Sequence, residues 1–248
     1  MNKQGNLYTL IYIVVLVVVV GTALALTSIS LKERQEANAD ADKMRQILAS
    51  VNVTPARDRD SVIGDYEKYI VRTFVINEHG ETVMDAPEAF DVNVAAQSKE
   101  TPSQRELPVY ECRLDNGELK YILPMYGAGL WGPIWGYVSV DADGSVIYGA
   151  YFAHQGETPG LGAEIVKPAF SGRFKGKHLL KDDRFHPVEV LKRGLAPADD
   201  NDYVDAISGG TITSRGVGDM IDNCLSPYSA FLQQLASSNG QHYVNNVE

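Results

Sequence analysis

The chain has 248 residues, 44% of them hydrophobic and 22% charged, and a formal net charge of −10. That length accommodates one substantial core, and the acidic balance excludes a nucleic-acid binder, which needs basic patches to neutralise phosphates. Two cysteines, Cys112 and Cys224, make neither a CxxC pair nor a zinc spacing. They leave open one structural disulfide or two buried thiols, and they exclude a cysteine-ligated cluster within this chain alone.

Residues 7–31 carry no charge, and residues 11–20 read Ile-Tyr-Ile-Val-Val-Leu-Val-Val-Val-Val. About 20 apolar residues cross a bilayer as a helix. A cleaved signal peptide has a shorter apolar stretch, of about 7–15 residues. Ala23-Leu24-Ala25 offers a cleavage-like site, but the stretch is too long, and Lys3 is the only side-chain cation ahead of it. A retained single-pass anchor is expected. Lys3 on one side and Lys32 and Arg34, with Glu33 and Glu36, on the other leave its orientation open by charge. Beyond it, Met44, Ile47, Leu48 and Val51 recur at helical spacing and make one apolar face. The expected organisation is an anchor over 1–31, a connecting helix over 32–55 ended by Pro55, and a folded α+β domain over 56–248.

Within that domain, residues 69–76 are rich in β-branched side chains and read as a strand. Residues 107–114 and 119–125 flank Asp115-Asn116-Gly117, a strong hairpin signal. Residues 136–140 and 145–151 flank Asp141-Ala142-Asp143-Gly144 and read as a second hairpin. Shorter candidate strands lie at 188–191 and 203–207, and helices are expected over 163–174 and from about 214 to 235. Consecutive hairpins with a few helices predict a largely antiparallel sheet with flanking helices; a doubly wound fold would need regular β–α alternation.

The chemistry concentrates in Asp205-Ala206-Ile207-Ser208-Gly209-Gly210-Thr211-Ile212-Thr213-Ser214-Arg215-Gly216, a short strand that runs through glycines and hydroxyls into a helix. Glycines permit close backbone approach, and backbone N–H groups at a helix N-terminus favour a phosphate. Thr213 or Ser214 is expected to cap the helix, and Arg215 to add charge-assisted phosphate contacts. The segment is neither a Walker loop, nor G-x-G-x-x-G, nor a G-x-S-x-G elbow. Read by itself it is equally a turn with capping hydroxyls.

Asp205-x-x-Ser208-Gly209-x-Thr211 resembles the flavinylation motif D-x-x-[ST]-G-A-T, in which a dedicated flavin transferase esterifies the last threonine with FMN taken from FAD. The resemblance implies covalent FMN on Thr211, with Asp205, Ser208, Gly209 and Gly210 read by the transferase and Thr213 close by. Gly210 stands where the motif has alanine; being smaller it is expected to leave access open and to loosen the loop. Gly156-Glu157-Thr158-Pro159-Gly160-Leu161-Gly162 resembles the E-T-P-G-L-G turn of FMN-binding domains. Its Pro-Gly suits a type II turn with φ positive at Gly160, presenting Leu161 to a flat ring. Residues 127–136 resemble the G-x-G-L-W-G-P-I-x-G segment of one subfamily, so Trp131 is either a ring-lining residue or an ordinary core tryptophan.

With the anchor and the length, these segments resemble the C component of sodium-translocating NADH:quinone oxidoreductases. The turn and flavinylation motifs are shared with the G component of Rnf-type complexes; the Gly-Leu-Trp-Gly-Pro segment favours the former. The resemblance implies an FMN-binding part over about 120–238, on the periplasmic side of the bacterial inner membrane. It implies partner subunits in a membrane redox complex, membrane lipid around the anchor, and no catalysis by this chain alone. Two other classes stay open: an anchored extracytoplasmic binding protein without redox activity, and a hydrolase pairing Ser208 or Thr211 with His154 or His178. The remaining histidines, His79, His186 and His242, read as solvated or structural. The cluster of Lys175, Lys177, His178 and Lys181 reads as a solvated face or a docking patch. No metal site is expected.

Overall fold

The computed structural model describes residues 5–197 and 199–244, with residues 239–244 described by backbone alone. Lys3 and the His242 side chain lie outside what it describes. The chain divides into two compact units, Met1–Lys43 and Met44–Glu248.

Helix α1, Asn6–Ser50, holds an 18-residue window of mean hydropathy 2.8, none of it buried. Large apolar side chains from Leu7 to Ile29 stand exposed, a surface that water does not tolerate and lipid does. In the second unit, Ile47, Leu48 and Val51 of the expected apolar face are buried and Met44 is half-buried. The helix stops at Ser50, earlier than Pro55. Asn52 takes φ 60°, Val53 N–H donates to Leu48 O and Asn52 N–H to Ala49 O. This is a Schellman stop, which asparagine tolerates because its short side chain fits the left-handed region.

The second unit is built on a six-stranded antiparallel sheet in the order β2-β1-β3-β4-β5-β6. Its strands are β1 Ile70–Ile76, β2 Thr82–Asp85, β3 Leu107–Arg113, β4 Leu119–Ala128, β5 Pro133–Asp141 and β6 Ile147–His154. The two expected hairpins are β3–β4 and β5–β6, with Gly117 and Gly144 at φ 85° and 70° in their turns. Helix α2, Arg59–Tyr69, which no periodicity in the sequence announced, is capped by the Asp58 side chain.

The sheet is buried on both faces. Leu107, Val109, Leu123, Met125, Ile134, Val138 and Phe152 point into a core shared with the C-terminal helices. Their alternating neighbours Tyr110, Cys112, Ile122 and Tyr137 point the other way, onto Ile47 and Val51. Two covered faces explain why 121–126 reads as an almost continuous apolar run. They also decide the cysteines: Cys112 and Cys224 lie in different cores with the sheet between them, and both are free thiols.

Two expected helices are broken. Over 163–174 the chain forms a 3-10 turn (Gly162–Val166), the four-residue α4 (Pro168–Ser171, preceded by the equally short α3, Val94–Gln97) and a further 3-10 turn (Gly172–Phe174). Pro168 drives Lys167 to an extended ψ of 141°, because its ring clashes with a helical predecessor. The C-terminal helix begins at Thr211, earlier than expected, and is divided into α5 (Thr211–Leu225) and α6 (Ser229–Val244) by a 3-10 turn holding Pro227. A minor antiparallel pair, β7 (Leu180–Lys181) and β8 (Arg184–Phe185), precedes β9 (Glu189–Leu191) and β10 (Tyr203–Asp205), which pair in parallel. That pairing, followed by Ala206 N–H donating to Leu191 O, delivers the chain to the head of α5.

Candidate functional site

Three segments converge at the N-terminus of α5. The first is the turn leading into it. Gly210 N–H donates to Ile207 O at 3.0 Å with Gly209 at φ 77°, a type II turn that needs glycine at its third position. The first intrahelical bond runs from Ser214 N–H to Gly210 O, 2.9 Å. The N–H groups of Thr211, Ile212 and Thr213 therefore stand without helical acceptors at the positive end of the helix dipole.

The second segment is the Glu157–Gly162 turn. Leu161 N–H donates to Thr158 O at 3.1 Å and Gly160 has φ 78°, the type II geometry expected of Pro-Gly. The third is the loop between β4 and β5, closed by Gly129 N–H donating to Gly132 O. It carries Trp131 with 69% of its surface exposed, which rules out the core reading of that side chain.

Between them lies a hollow of about 230 Å³. Of the expected residues, Thr211, Gly209, Gly210, Thr213, Trp131, Glu157, Thr158, Leu161 and Gly162 all line it. Asp205, Ser208 and Gly160 instead line an adjoining hollow of about 570 Å³, together with Lys167, Arg173 and Arg193. Leu130 and Ile212, which no motif singled out, complete an exposed apolar rim with Trp131 and Leu161. Their signal was an apolar side chain beside a glycine or at a polar helix start, where no core position awaits it.

Three expectations change. Neither Thr213 nor Ser214 caps α5: Gly210 is the N-cap residue. Ser214 Oγ bonds back to Gly210 O and accepts from Ile207 N–H, while Thr213 Oγ1 donates to Glu157 Oε2 at 2.6 Å. Arg215 lines a separate hollow with Glu189, Asp219 and Asp222, one turn further along α5 than Thr211, and is not among the residues that line the Thr211 hollow. Gly210 does not loosen its loop. It is buried, and a Cβ on it would lie 2.8 Å from Leu161 O, so the two turns touch backbone to backbone.

The hydrolase constellation is not assembled. His154 Nδ1 accepts from Glu157 N–H, and His178 Nδ1 pairs with Asp202 at 3.1 Å. Among the described residues, neither histidine bonds Ser208 or Thr211. The basic cluster is internally engaged: Lys181 contacts Asp200 and Asp202, while Lys175 and Lys177 lie over the rings of Tyr148 and Tyr203.

Donor N–H groups at a helix start, glycines that let backbone approach closely, and an exposed apolar rim suit a ligand with a phosphate at one end and a flat ring at the other. The residues present fit FMN on those grounds. Residues 129–226 match the FMN-binding domain family. The chain is 34% identical over 183 residues to the C component of the Na(+)-translocating NADH-quinone reductase of Yersinia pestis, covering 66% of this chain and 68% of that one. It is 35% identical to the same component from Neisseria meningitidis serogroup B, covering 67% and 70%. The crystal structure of the C component from Parabacteroides distasonis superposes with a TM-score of 0.74 at 47% identity, over 82% of this chain and 96% of that one. Shewanella oneidensis NqrC gives 0.67 at 27% identity, over 81% and 99%. The chain therefore contains an FMN-binding domain. It belongs to the NqrC family, the C components of Na(+)-translocating NADH-quinone reductases, which disfavours the Rnf alternative.

Proposed function

We propose that this chain is the membrane-anchored electron-transfer subunit of a sodium-pumping NADH:quinone oxidoreductase, carrying FMN through a phosphoester on Thr211. Residues 1–31 cross the inner membrane, residues 32–55 connect, and the domain over 56–248 stands on the periplasmic side. The single observation that supports the reading best is the place of Thr211. It is the first residue of α5, beside unbonded N–H groups, and lines the same hollow as Trp131 and Leu161.

FMN, when bound, supplies reversible electron uptake and release. The chain's residues do the rest. The N–H groups of the first turn of α5 stabilise the doubly substituted phosphate. The Leu130, Trp131, Leu161 and Ile212 rim offers apolar contact while leaving a path for electrons to partner subunits. Loading is a phosphoryl transfer by a separate flavin transferase. The Thr211 Oγ1–phosphorus bond forms, the phosphoanhydride of FAD breaks, AMP leaves, and the hydroxyl proton passes to the transferase. No base is needed in this chain.

The test is the mass of the full chain from native membranes, with the peptide spanning residues 203–215 sequenced. A gain of one FMN less one water on Thr211, abolished by Thr211→Ala, is expected. Unmodified Thr211 in cells that contain the transferase and flavin rules the reading out.

A further inference from the structure

Glu157 touches three segments of the site at once, although it is 5% exposed. Its Oε1 accepts the backbone N–H of Trp131 at 2.8 Å, and its Oε2 accepts the Thr213 hydroxyl at 2.6 Å. The two oxygens press against Gly129 and Gly162, where a Cβ on either residue would collide with the carboxylate. Its own N–H donates to His154 Nδ1, at the end of β6. One side chain therefore sets the spacing between the Trp131 loop, the Glu157–Gly162 turn and the first turn of α5.

A buried carboxylate is costly even when hydrogen-bonded, and an apolar residue of similar volume usually packs at lower cost. Packing by itself gives no reason for this one. Its two acceptor oxygens do: Thr213 is two residues from Thr211 within one helical turn, and Trp131 forms the opposite wall. We propose that Glu157 is a positioning residue, which holds the Thr211 hydroxyl and the Trp131 ring in the mutual arrangement that accepts FMN. The proposal rests on the Thr211 reading above.

The experiment uses the full-length chain in detergent, made in cells lacking the flavin transferase. Purified transferase and FAD are added, and FMN incorporation is followed by intact mass. A parallel series in a Trp135→Phe background reads the fluorescence anisotropy of Trp131 before FAD is added. Glu157→Ala and Thr213→Val are expected to load on the order of 10–100-fold more slowly, since small displacements of a reacting group cost that much. Trp131 anisotropy should fall in both. Glu157→Gln should load near the wild-type rate, because its amide oxygen still accepts from Trp131 N–H and its amide nitrogen still meets the Thr213 oxygen. Thr213→Val is nearly isosteric and removes only the hydroxyl, so it decides the matter if Glu157→Ala fails to fold. Loading of Thr213→Val at the wild-type rate overturns the proposal, as does Glu157→Gln loading no faster than Glu157→Ala. Absence of loading in the wild-type chain removes the Thr211 reading instead. Unchanged Trp131 anisotropy in Thr213→Val would then reject the clamp on its own.

Discussion

Gly210 and Leu161 meet backbone to backbone: a methyl group on Gly210 would sit 2.8 Å from the Leu161 carbonyl oxygen and 2.9 Å from its carbon. A carbonyl cannot swing aside as a side-chain end can. Gly210→Ala should therefore lower stability by about 1–3 kcal/mol, the usual cost of overpacking. It should also push the Leu161 turn away from Thr211. The urea midpoint of the full chain in detergent reads the first effect; an unchanged midpoint would show that the turns are not in fixed contact.

Arg105 holds a loop to the end of α5. It is 8% exposed, and its guanidinium donates to Glu100 O, Ser98 O, Asn223 O and Asn223 Oδ1 at 2.6–3.0 Å. Arg105→Ala would leave these acceptors without their charged donor. A loss of about 2–3 kcal/mol is expected, the range for hydrogen bonds to a charged group. Thermal melting against Arg105→Lys, which restores charge but not the fork, separates geometry from charge.

Asp202 gives the fold an acid-sensitive tie. Burial raises its pKa, but hydrogen bonds from the His178 N–H and ring and from Lys181 outweigh that and hold it at about 2, below the ordinary 3.8. A depressed folded pKa means stability that is present above the unfolded value and lost as pH falls through the folded one. Wild type should thus lose stability between about pH 4 and pH 2 by more than Asp202→Asn does. Unfolding midpoints over that interval that run parallel in the two proteins would refute the tie.

The thiols should be silent in the native state. Burial pushes Cys112 up to about 12 and raises Cys224 as well, although a hydrogen bond with the Tyr126 backbone works the other way. The thiolate is the nucleophile, so alkylation at pH 8 should be slow for both. After unfolding without reductant, both should label rapidly. A requirement for reductant would mean that the sheet does not separate them.

Much of the site was legible because its chemistry is local. A Pro-Gly pair at 159–160 demands a type II turn whatever surrounds it, and Asn-Gly and Asp-Gly demand hairpins. Continuous helices do not form over 163–174 and 214–235, because the rings of Pro168 and Pro227 block the preceding turn. Helix α2 stayed unseen because Val62 is its only buried residue, too little for a periodic face.

Read alone, the amino-acid order determined which segments turn and which stretch is apolar enough to span a bilayer. Those properties depend on φ preferences and hydropathy within a few neighbours. Only the tertiary structure decided that Trp131 stands in the open, that Arg215 lines a different hollow, that Gly210 is a contact and that Glu157 joins three segments. Each depends on residues tens of positions apart brought within a few ångströms, and short-range preferences carry no information about such distances.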